Sequence, residues 1–170
     1  LTPTTLDEAI TRDCLLGRLA GEPAPEMVIC VVDATNLRLN LRLVLELREL
    51  GVPMIVALNM SDLAFDRGFH LDREQLEREL GVPVVETIAV AAGGHERLVA
   101  ALDAAALPGA LSAREWHDPS FEHIQQTQRE VRRILAAVGY KEPARARALR
   151  RLDALVMHPI AGPVFLAVLL

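Results

Sequence analysis

Three short apolar runs, MVICVV (27–32), VPMIVAL (52–58) and VPVVETIAV (82–90), alternate with longer segments that carry helix punctuation, and this alternation restricts the fold most. Each run is rich in valine and isoleucine, as expected of a strand covered on both faces. Strands separated by helical crossovers pair in parallel, so the pattern predicts an α/β fold with helices around a parallel sheet.

The segments between the runs support that reading. Thr5 and Glu8 have capping-box spacing ahead of Leu6, Ile10 and Cys14, which predicts a helix over 6–16 and makes GEPAPE (21–26) a connector. NLRLNLRLVLELREL is harder, because Leu37 to Leu47 alternate with polar residues at the period of a half-exposed strand. Its leucines, arginines and glutamates favour helix, only Val44 is β-branched, and Leu39, Leu43, Leu47 and Leu50 make one helical stripe. Asn36 and Gly51 are the expected cap and terminator. In LDREQLERELG, Asp72 and Gln75 have capping-box spacing, Leu71 and Leu76 suit a hydrophobic staple, and Gly81 ends the helix. A helix over 95–107 follows Gly93 and Gly94.

The pattern changes at 108–119. Ser120 is a cap for a helix presenting Phe121, Ile124, Val131, Leu135 and Val138 on one face up to Gly139, and a second helix follows Pro143. Residues 1–107, 108–157 and 158–170 are therefore expected to be an α/β unit, a helical appendage and a third, apolar segment. IAGPVFLAVLL (160–170) is uncharged and follows Arg145, Arg147, Arg150 and Arg151. A basic cluster beside an apolar run is the positive-inside signal of a membrane helix, although roughly 20 residues are needed to span a bilayer. A buried C-terminal element beside a solvated basic face fits the same residues. Because the chain opens on Leu1 and is still apolar at Leu170, the membrane reading, in a piece cut at both ends, is the one expected.

A net charge of −5 over 170 residues offers no footprint for a phosphodiester backbone, so no nucleic-acid partner is expected. Cys14 and Cys30, without C-x-x-C spacing, read as free thiols in apolar segments. His117, Asp118, Glu122 and His123 lie close together but lack a metal-ligand spacing, and Trp116 reads as an anchor for the connector.

Ligands of a parallel sheet bind outside the carboxyl ends of its strands, where DATN, NMSD and ETIAVAAGG should share one rim. A carboxylate there matches the adjacent N1–H and 2-amino donors of guanine, whereas adenine would leave it unpaired; Asp62 is the candidate. Asn59 would tie its loop to the next and reach the purine N7 edge. The plainer alternative is that Asn59, Ser61 or Asp62 caps a short helix at 63–67.

VVDATNLRLNLRLVLELRELGVPMIVALNMSDLA, LGVPVVETIAV and MHPIAGPVFLAVLL together resemble the ferrous iron transport protein B family. That resemblance implies a cytoplasmic Ras-like P-loop NTPase fold, here without its first strands and phosphate loop. It also implies a small all-α helical domain that influences nucleotide release and a membrane domain that carries Fe(II). NMSD looks like the base-reading motif N-K-x-D with Met60 in place of lysine, its thioether covering the purine face. ETIAV looks like the loop whose backbone N–H meets guanine O6, with Ala89 as donor and Val90 beside it; Thr87 and Val90 depart most from the usual pattern. Asp33 and Asn36 are loop and cap residues.

The implied cofactors are GTP and GDP, with Mg²⁺ held by motifs that do not occur in this sequence: there is no G-x-x-x-x-G-K-[ST] and no D-x-x-G. LTPTTLDEAITRDCLL is similar to the second switch helix. The expectation is thus an internal piece of a bacterial cytoplasmic-membrane GTPase for ferrous iron uptake, with 1–157 on the cytoplasmic side. By itself it should neither hydrolyse GTP nor bind it tightly. A homo-oligomer is among the expected partners, and a soluble α/β GTPase-like regulatory module is the alternative.

Overall fold

The computed structural model describes residues 5–105 and 120–141. The sequence-predicted connector 108–119, the helix expected after Pro143, the arginine cluster 145–151 and the C-terminal apolar run lie outside them, as do the last two residues, 106 and 107, of the helix expected over 95–107.

Strands β1 (Val28–Asp33), β2 (Met54–Asn59) and β3 (Val84–Thr87) form a parallel sheet in the order β1-β2-β3. The register places Asp33 opposite Asn59 and Asn59 opposite Thr87, so all three strands end on one line. Helices α1 (Leu6–Leu15), α2 (Leu37–Glu49), α3 (Ser61–Asp66), α4 (Arg73–Leu80), α5 (Glu96–Ala104) and α6 (Phe121–Ala137) complete the described chain, with a 3-10 turn at Ala34–Asn36.

The helices begin and end where local chemistry dictates. The Thr5–Glu8 capping box is formed in both directions. Asp72 accepts the Gln75 N–H at 2.9 Å, and Gly81 closes α4 in the left-handed region. Asn36 holds the cap position of α2 without capping through its side chain; Asp33 instead caps the preceding turn, its Oδ1 accepting from Thr35 N and Oγ1 at 2.7 and 2.8 Å.

One face of the sheet, through Cys30, Val32, Met54, Val56, Leu58 and Val84, packs on Leu37, Leu41, Val44 and Leu45 of α2 and Leu76 and Leu80 of α4. Val131, Ile134 and Leu135 of α6 and Val138 just beyond it join the same core. The buried stripe of α2 is therefore only in part the expected one: Leu47 is buried and Leu50 half-buried, but Leu39 and Leu43 face outward, while Leu37, Leu41 and Val44 are fully buried. With a leucine at every second position, several stripes are available, and docking selects one. On α6, Phe121 is exposed, and Ile134 with Thr127 takes buried positions instead.

β1 departs from its expected burial on both faces. Ile29 and Val31 are open on the second face, where no described element covers them, whereas Ile55 and Ala57 of β2 are buried. Cys30 is a buried free thiol, its pKa pushed up by desolvation, and Cys14 is a half-buried one.

Candidate nucleotide-binding site

The aligned strand ends bring NMSD and ETIAV together. Asn59 Oδ1 accepts the Ala89 N–H at 3.2 Å and faces the Thr87 hydroxyl at 3.5 Å. A backbone N–H can only donate, which assigns this end of the side chain as the oxygen. The amide nitrogen takes no part in either contact, and its donors suit an acceptor such as a purine N7. Thr87 is buried and anchors this tie, although its sequence context marked it as one of the less conforming positions.

Met60 follows in the left-handed region, φ 59° and ψ 29°, and is alone among the described non-glycine residues in having positive φ. Such a conformation costs an unbranched residue about 1 kcal/mol and clusters at functional sites. It lets α3 begin directly after β2. Met60 is the cap residue of α3, but no side chain caps that helix, so the capping account of Asn59, Ser61 and Asp62 does not hold. Met60 is exposed. Asp62 is exposed in the first turn of α3, and no described group forms a hydrogen bond or ion pair with its carboxylate.

Ala89 lies in a compact loop in which Ile88 O accepts from Ala91 N at 2.9 Å and Gly94 O from Ile88 N at 3.2 Å. Val90 projects into solvent, 96% exposed. The expected tie from Asn59 to the next loop is thus made to Ala89, with Met60 and Asp62 following on the same strand end. In the sequence, Gly94 signals only a helix start, and the GG dipeptide is the one local sign of a tight backbone there.

A cavity of about 280 Å³ opens behind α3, reaching Ser61, His70 and Glu86. Asn59, Asp62 and Ala89 do not line it, although Ala34, Ser61 and Glu86 bring one residue from each of the three strand-end segments to its wall. Among the described residues no His, Cys, Asp or Glu cluster suits a metal ion; His123 instead contacts Glu49 of α2, Nε2 to Oε2 at 3.0 Å. No helix of the described residues is long and apolar enough to cross a membrane.

The sequence pattern of ferrous iron transport protein B matches residues 1–102. The chain belongs to that family. The Fe(2+) transporter FeoB of Salmonella typhimurium is 43% identical over 100 residues, which are 59% of this chain and 12% of the relative. The Escherichia coli K12 transporter is 41% identical over the same shares. This chain therefore spans only a small part of the length of those relatives.

Among solved structures, the FeoB G-domain from Methanococcus jannaschii superposes with a TM-score of 0.55 and 39% identity, covering 61% of this chain and 63% of that one. GMPPNP-bound T. maritima FeoB cytosolic domain gives 0.62 at 22% identity, over 79% and 75% of the two chains, a likeness of fold. The mGMPPNP-bound NFeoB of S. thermophilus gives 0.52 at 37%, over 63% and 40%. The parallel sheet and its helices are accordingly part of the FeoB G-domain fold, of the P-loop NTPase class.

Proposed function

We propose that this chain is the guanine-reading part of a GTP-dependent ferrous iron transporter. Asp62 accepts N1–H and the 2-amino group, Asn59 offers its amide donors to the N7 edge, and the Ala89 N–H meets O6. Met60 covers one face of the base, and Val90 borders the same loop. The observation that carries this reading is the bond from Ala89 N–H to Asn59 Oδ1, which ties the two base-side loops 30 positions apart beside an unpaired Asp62. Guanine nucleotides in the related G-domain structures support the ligand class.

Phosphoryl transfer is mainly positioning and charge stabilisation around Mg²⁺, so it needs a phosphate loop and Mg²⁺ ligands; this sequence carries neither motif, and in the full-length protein other residues supply them. The basic cluster and the uncharged run 160–170 lead into the first membrane helix. Residues 1–157 then lie on the cytoplasmic side of the bacterial membrane, 108–157 is the helical unit that influences nucleotide release, and Fe(II) is the cargo.

The test is guanine-nucleotide binding by the full-length protein and its Asp62→Ala and Asp62→Asn variants. Asp62→Ala should weaken GDP binding by ~10²-fold or more, since a site built for matched donors discriminates strongly when desolvated. Asp62→Asn should move preference toward xanthine nucleotides, whose C2 carbonyl accepts from the new amide. Equal GDP affinity in the wild type and Asp62→Ala would refute the role of Asp62.

A further inference from the structure

We propose that Gly94 is the positioning residue for the 6-oxo contact, holding the Ile88–Ala89 peptide at the angle that presents the Ala89 N–H to the base. The proposal rests on the guanine reading above and assigns it a determinant outside the base-reading motif.

A peptide unit is one rigid plane, so its C=O and its N–H turn together. Both ends of the Ile88–Ala89 plane are engaged: Ile88 O accepts from Ala91 N at 2.9 Å, and Ala89 N–H points to Asn59 Oδ1 at 3.2 Å. Gly94 closes the same loop, donating to Ala91 O at 3.1 Å and accepting from Ile88 N at 3.2 Å. Its Cα is packed directly on the plane. A Cβ at position 94 would overlap the Ile88 carbonyl oxygen and lie 2.8 Å from the carbonyl carbon, with Ala91 O at 3.2 Å. These neighbours are backbone atoms that cannot swing aside. Any side chain at 94 therefore rotates the plane, and the Ala89 N–H turns away from the rim.

Gly93 provides the contrast. A Cβ there meets only the far end of the Glu96 side chain, with Oε1 at 2.8 Å, although its φ of +74° strains any substitution. Loop closure, rather than the GG dipeptide as such, thus depends on Gly94. In the nucleotide-bound protein the base O6 competes with Asn59 Oδ1 for the Ala89 donor, which the 3.2 Å contact leaves exchangeable.

The experiment compares GDP, 6-thio-GDP and IDP binding to the full-length protein. Sulfur is the poorer acceptor at position 6, so the GDP/6-thio-GDP ratio reads the Ala89 contact; IDP lacks the 2-amino group, so GDP/IDP reads Asp62. Gly94→Ala should weaken GDP binding ~10-fold, the loss of one desolvated hydrogen bond, and bring GDP/6-thio-GDP close to unity while leaving GDP/IDP intact. Ala91→Pro removes the donor to Ile88 O at an exposed position and should shift the same ratio less; it decides the matter if Gly94→Ala does not fold. Wild-type GDP/6-thio-GDP ratios in every folded variant would overturn the proposal, as would an equal fall in both ratios. A wild-type protein without GDP/IDP preference would instead overturn the guanine reading.

Discussion

The strand-end rim and the α2–α4–α6 face meet at the same sheet but are built by opposite rules. At the rim, one amide oxygen joins two loops through contacts of 3.2 and 3.5 Å, beside a left-handed Met60 and an exposed Asp62. On the helical face, Leu41, Val44, Leu76 and Ile134 are fully buried. Arg133 there reaches Glu79 of α4 at 2.7 Å and Glu130 at 2.9 Å. Just beyond α6, Tyr140 Oη donates to Ala34 O at 3.4 Å, its ring lies 5.8 Å from Phe69, and Lys141 pairs with His70 through the backbone. The contrast teaches that stability resides in apolar packing, while the rim keeps its polar groups weakly engaged and available to a ligand.

That division can be broken most directly in the core. Ile134→Ala should lose ~2–4 kcal/mol in chemical denaturation, because a fully buried methylene-rich side chain leaves a cavity between α6 and its neighbours. It should change the GDP/IDP ratio little; a large change would mean the helical face also sets base selectivity.

Asn59→Ala tests the other side. It removes the acceptor of the Ala89 N–H and of the Thr87 hydroxyl, so stability should fall by ~1–2 kcal/mol, less than for Ile134→Ala, and nucleotide affinity should fall as well. A variant that unfolds as easily as Ile134→Ala would erase the proposed distinction.

The smallest effect is expected from acid. Glu79 is held below the ordinary carboxylate range by hydrogen bonds from Arg133 and then Gln75, and Glu130 chiefly by that from Arg133. Their folded-state pKa values are depressed, so the unfolded chain binds more protons. The stabilisation is present above the unfolded value of 4.5 and is lost as pH falls through the lower folded values. Denaturation between pH 6 and about pH 3 should therefore show a modest loss that Arg133→Ala diminishes, modest because these pairs are solvent-screened. Identical acid profiles for the two proteins would remove Arg133 from the account.

Much of the fold was legible because it depends on local pattern. Val28–Asp33, Met54–Asn59 and Val84–Thr87 are strands within two residues of the apolar runs, except that β3 stops three residues earlier, before the loop that carries Ala89. The alternating segment after Asn36 is helix, as its helix-forming composition required. Which leucines it buries was not legible, since Leu39 and Leu37 have the same chemistry and only docking separates them. At the site, residue types pointed to Asn59, Asp62 and Ala89 and to a tie from Asn59 to the next loop, but nothing local identified the Ala89 N–H as the partner in that tie. Nor did it reveal the left-handed Met60, in a region that glycine and asparagine favour.

The sequence by itself determined the order of strands and helices, the capped ends of α1 and α4, and the chemistry available at NMSD and ETIAV, because periodicity and side-chain donors are properties of neighbouring residues. Tertiary structure alone decided the stripe by which α2 docks, the union of Asn59 with Ala89, and the pressure of Gly94 on the Ile88–Ala89 peptide. Those outcomes come from parallel register and close packing, which join residues that the chain keeps apart.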